Sequence, residues 1–146
     1  VVHTDDIAWR HSVFDWVDQL TDGVLRPLHQ GHPVALRPPA WDIHDRPGAI
    51  EVPENASLVV IEGVGAGRRE VAHLIDVIVW VHTEPTEINR RNTARIAAGE
   101  TSPANFTAWM AEETPFVAEQ RTWERAAIIV AGSGSQVLIA NPSSTA

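Results

Sequence analysis

Acidic and basic side chains stand in this chain where proton or phosphoryl chemistry would use them. Asp5-Asp6 follow Val1-Val-His-Thr4, which reads as the tail of a strand. Glu62 closes Leu58-Val-Val-Ile61, a continuous apolar run rich in β-branched residues, of the kind buried on both faces in a parallel sheet. Ligands of open α/β sheets bind beyond the carboxyl ends of the strands, so an acid at such an end is a candidate base or an indirect magnesium contact. The plain alternatives are helix-start acids at Asp5-Asp6 and a solvated turn acid at Glu62. His44, between Asp42 and Asp45, could meet a polar substrate or simply occupy a turn. Arg91 and Arg95 share a helix face at i, i+4, next to Arg90, and could clamp a phosphoryl group. A solvated surface balanced by Glu84 and Glu87 is the competing reading.

Other chemistries lack their residues. The seven histidines show no metal-ligand spacing, and no G-x-S-x-G nucleophile motif occurs. Gly63, Gly65 and Gly67 permit a tight turn, but Arg68 stands where a dinucleotide loop needs glycine. Arg68-Arg69 likewise replace the Lys-Ser/Thr of a Walker A loop, although backbone amides there could still hold an anion. All 11 basic residues are arginine, so a mechanism that needs lysine cannot be completed by this chain alone.

The elements that must position these groups can be read in order. Ser12 is a candidate cap for a helix carrying Phe14, Trp16-Val17 and Leu20, stopped by Gly23. A further helical turn spans 24–29. The segment 34–41, with Pro38-Pro39, should be extended and at a sheet edge. His44-Asp-Arg-Pro-Gly48 is turn chemistry, and Ile50-Glu-Val52 a short extended piece. A short helix over 68–74 precedes a second apolar strand over 75–81. A helix opening near Pro85 should stop at Gly99; a longer one opens at Ser102-Pro and carries Pro115. Ala126 to Val130 is a third apolar strand, Gly132-Ser-Gly-Ser135 a flexible break, and Val137 to Ala140 a last strand. Strands alternating with helices imply a parallel α/β sheet.

With 146 residues, 44% of them hydrophobic, and six tryptophans, the chain reads as one domain, 1–146, with a real core. A net charge of −8 disfavours nucleic acid as a partner, and no apolar run is long enough to span a bilayer. The absence of cysteine fits a reducing cytoplasm.

The order of these segments resembles the P-loop kinases of the uridine kinase and phosphoribulokinase group. Asp5-Asp6-Ile-Ala-Trp9 is similar to the family's Asp-x-Phe-Tyr motif, and Val24 to Val34 to its L-x-x-L-x-x-G-x-x-V run. Pro39-Ala-Trp-Asp-Ile-His-Asp-Arg46 is similar to P-x-Y-D-F-x-x-H-x-R, Val59-Val-Ile-Glu-Gly63 to the strand ending in Glu-Gly, and Arg90-Arg91 to the lid arginines within a helical lid over 84–121. Ala127-Ile-Ile-Val-Ala-Gly-Ser133 resembles the late strand and loop near the adenine.

The resemblance implies a three-layer P-loop fold, a parallel sheet flanked by helices, with its first strand and Walker A loop missing from this chain. It also implies an ATP- and Mg2+-dependent phosphotransferase acting on a nucleoside or another small alcohol. In that scheme Asp5 is the base, Glu62 holds magnesium through water, and Arg91 acts on the moving phosphoryl group. Trp41, Asp42, His44 and Arg46 line the acceptor site, and Arg90, Arg95, Gly132 and Ser133 contact the nucleotide. A homo-oligomer is compatible with this scheme. Val137 to Ser143 superficially resembles a first strand entering a P-loop. The alternative function is a non-catalytic, degenerate relative that binds a nucleotide or a protein partner.

Overall fold

The structure, a computed structural model, describes residues 1–133 and the strand at 137–139. Gly134 and Ser135 of the expected flexible break, and 140–143 of the expected strand entry, lie outside the described residues. The chain packs as two compact units, Val1–Ile75 and Asp76–Ala146. It is mixed α/β, with short parallel strand pairs accompanied by helices.

In the first unit, β1 (Val2–His3) lies parallel to β4 (Ile61–Glu62), with His3 opposite Glu62. The chain leaves β1 directly into α1 (Thr4–Ala8), which carries Asp5 and Asp6 in its first turn, where acids suit the helix dipole. Its Ile7 is fully buried beside Val2, Trp16, Leu20, Val24 and Val71, the centre of one apolar cluster. α2 (Val17–Leu20), a π-type turn over Thr21–Leu25 and α3 (Arg26–His29) follow one another without a break. An antiparallel hairpin of β2 (Val34–Leu36) and β3 (Ile50–Val52) closes the unit, with α4 (Pro39–Ile43) between its strands.

Several expectations for this half need correcting. Ser12 Oγ does accept the Asp15 N–H at 3.0 Å, but that bond closes a turn, and the helix begins only at Val17. Gly23 does not stop it; it lies inside the π-type turn because a side chain there would meet Leu36, Cδ1 lying 2.7 Å from an ideal Cβ. The chain instead ends this helical run at Gly31, which takes φ 73°. Gly23→Ala should therefore cost about 1 kcal/mol in urea denaturation, overpacking of roughly 1–3 kcal/mol being offset by about 1 kcal/mol of helix propensity. Residues 39–43 are helical rather than extended, since Pro39 sits at the first helical position, where its missing N–H costs nothing. The run 58–61 is not a strand buried on both faces: Leu58 and Val60 are exposed, and only Val59 and Ile61 pack on the core. The expected helix over 68–74 shrinks to a 3-10 turn at Ala72–Leu74.

In the second unit, β5 (Val79–His82) runs parallel to β6 (Ile128–Ala131), and β7 (Val137–Ile139) pairs antiparallel with β6. Val137–Ile139 thus does not supply a parallel strand of the kind that enters a P-loop. α5 (Pro85–Ala97) ends before Gly99, which has φ 74°. α6 (Pro103–Gln120) is capped by Ser102, whose Oγ accepts the Asn105 N–H at 3.1 Å, and it accommodates Pro115 within its length. Trp80 meets Trp123 edge-on, ring centroids 5.6 Å apart, while Val77, Val79 and Val81 are exposed.

Candidate active site at two strand ends

The first cluster grows from the register of β1 and β4. Parallel pairing of His3 with Glu62 brings the carboxyl ends of both strands to the same side, so α1 and the glycine turn leave together. The His3 ring, through Nδ1, contacts Glu62 Oε1, both side chains being about half exposed. Behind them Thr4 is buried, and its Oγ1 lies 3.5 Å from the Val64 carbonyl. Gly63 passes over this threonine at φ 123°.

The two neighbouring acids have different fates. Asp5 is exposed and makes no hydrogen bond or ion pair among the described residues. Asp6 accepts Arg46 Nη2 at 2.5 Å, and its carbonyl accepts the Trp41 indole N–H at 2.8 Å. The Arg46 guanidinium lies over two rings, 3.8 Å from the Trp41 centroid and 5.0 Å from that of Trp9. Such cation–π contacts, together with the carboxylate, hold a cation in a fixed plane. His44 stands edge-on to Trp9 at 5.9 Å. Asp42 is engaged by Arg37, whose Nη2 lies 2.6 Å away, and the same guanidinium donates to the Arg46 carbonyl at 3.1 Å. Trp41, His44 and Arg46 therefore gather beside α1, with Asp42 bracing the turn that carries them.

The second cluster lies in the other unit. Glu87, in the first turn of α5, accepts Nε and Nη2 of Arg90 and Nε of Arg91, each at 2.7 Å. These bonds, Arg90's first and Arg91's next, push the Glu87 carboxyl down from an ordinary 4.5 to about 2, and Glu87 in turn raises Arg90. Arg91 Nη2 reaches the Gly132 carbonyl at 2.7 Å, and the Gly132 N–H donates to the His82 carbonyl at 2.6 Å. Arg95 pairs with Glu100 at 3.4 Å, and Ser133 is exposed. Glu84 does not share in balancing the arginines; it faces His82 at 3.4 Å. Because folding lowers the Glu87 pKa, this pairing stabilises the unit above about pH 4.5, and the contribution disappears as pH falls through about 2. Urea denaturation of the wild type and Glu87→Gln should show a stability gap that closes across that window.

Sequence reasoning passed over His3, Thr4, Trp9 and Arg37. Only His3 left a usable signal, as a strand-final residue opposite another strand end; the others are set by packing between distant segments. Among the described residues no three His, Asp or Glu side chains converge as a closed metal site. Magnesium does not ask for one, since it is commonly held by one or two carboxylates, waters and substrate phosphates. Glu62, a half-exposed hard oxygen donor with one oxygen left over by His3, fits that description. No helix among the described residues is long and apolar enough to cross a membrane. Comparison with protein-family models, with curated proteins and with solved structures gave no match.

Proposed function

We propose that the chain belongs to an ATP-dependent phosphotransferase similar to uridine kinase, acting on a nucleoside or another small alcohol. The observation that carries this reading is the parallel register of His3 with Glu62, which brings Asp5 and Glu62 off adjoining strands at the same end. In this scheme Asp5, exposed and without a partner among the described residues, orients or deprotonates the acceptor hydroxyl. Trp41, His44 and Arg46 form its wall, with Asp42 fixing the turn. Glu62 would hold magnesium through water, and the ion would supply charge neutralisation at the phosphates. Arg90, Arg91 and Arg95 belong to the lid, and Gly132-Ser133 to the nucleotide side. Catalysis of this kind is mostly positioning and electrostatics, so a lysine-bearing phosphate loop is needed for most of the rate.

The finer fold reading, a three-layer P-loop sheet, draws support from the exposed Val79 and Val81, which leave one face of the parallel strand β5 uncovered. Parallel strands are normally covered on both faces, so a further strand and helix would complete them. The test is direct. The coding sequence upstream of Val1 is expected to encode a strand followed by G-x-x-x-x-G-K-S/T, and a chain including it should form ADP from ATP with a nucleoside or small-alcohol panel. An in-frame stop there without such a loop, or no acceptor-dependent ADP, supports the non-catalytic alternative. That alternative is favoured by one observation: the lid arginines already have carboxylate partners.

A further inference from the structure

The Glu87 carboxylate takes three N–H donors from two guanidiniums, an arrangement that an oxyanion of a phosphate would make with the same groups. The carboxylate sits inside and the cations outside: the side chain of Glu87 is 21% exposed, against 69% for Arg90 and 48% for Arg91. A single carboxylate leaves one positive charge of the pair uncompensated. Arg91 is also fixed from its other arm, through Nη2 on the Gly132 carbonyl, so the pair is held beside the loop that follows β6. We propose that Glu87 is a built-in competitor for a polyphosphate, occupying the Arg90–Arg91 pair until an anion of higher charge displaces it.

This inference rests on the reading of Arg90 and Arg91 as anion-binding residues and adds their regulation. Displacement is favoured because a phosphate offers more charge and more acceptor oxygens to the same planar forks than a carboxylate does. Freed Glu87 returns to water at the helix N-terminus, where its charge is still accommodated by the dipole. Replacing its charge should therefore strengthen anion binding, and the gain should depend on Arg91.

The experiment is calorimetric titration of the full chain with inorganic pyrophosphate at low ionic strength, for the wild type, Glu87→Gln, Arg91→Ala and Glu87→Gln/Arg91→Ala. Glu87→Gln should bind about tenfold more tightly, and the gain should vanish in the double variant. If Glu87→Gln binds equally or more weakly while Arg91→Ala weakens the wild type, competition is overturned and the anion-binding reading survives. If no variant shows binding that depends on Arg91, both fall. Should Glu87→Gln lose helix by circular dichroism, Glu87→Asp replaces it, its shorter carboxylate serving both arginines less well. A smaller gain is then expected, and unchanged affinity overturns the proposal.

Discussion

Gly63→Ala should lower the stability of the first unit by about 3–5 kcal/mol, read as a large drop in the urea midpoint. Two independent penalties combine. Gly63 holds φ 123°, a conformation that residues with a side chain rarely adopt. A Cβ there would also run into Thr4 Oγ1, with Thr4 Cβ 3.2 Å away. The threonine cannot step aside, because it is buried and begins α1 immediately after β1. Thr4→Ala combined with Gly63→Ala should recover part of the loss by removing the clash while leaving the backbone strain. An unchanged midpoint in the single variant would show that the turn does not pass over Thr4 as described.

On the phosphotransferase reading proposed above, Asp5→Asn should reduce the kcat of a chain that carries a phosphate loop by about 10²- to 10⁴-fold, the usual contribution of a positioned general base. Stability should fall by no more than about 0.3–1 kcal/mol, the helix-dipole contribution, because the Asp5 carboxylate has no partner among the described residues to lose. The adjacent acid provides the control. Asp6→Asn removes the charge facing Arg46 in a pair about one-third exposed, and should cost roughly 1 kcal/mol of stability. Steady-state ADP formation and urea denaturation measured on both variants separate the two roles. Full turnover in Asp5→Asn removes Asp5 as the base.

How much of this was legible beforehand differs by segment. α5 and α6 were, because their signals are local: proline at a first-turn position, Ser102 as a cap and Gly99 as a stop. The strand-end placement of Glu62 was legible for the same reason, since an apolar β-branched run ends there. Gly23 was misread because a glycine that terminates a helix and one that lets Leu36 approach look alike in sequence; only the tertiary contact separates them. Leu58 and Val60 were misread because composition cannot tell which face of a strand finds a neighbour. The tie between Asp6, Trp41 and Arg46 spans some forty positions, so no local pattern encodes it. Arg90 and Arg91 were visible as cations, and Glu87 as their neighbour, but not that a single carboxylate would grip both.

The loop at Gly132 is fastened by its peptide groups: its carbonyl to Arg91 and its amide to the carbonyl of His82. A Cβ at this glycine would strike Thr83 Oγ1, so the position itself has no room to vary. Ser133, exposed next to it, carries none of those ties. Ser133 can therefore be exchanged while the two ties of Gly132, to Arg91 and to His82, stay as they are.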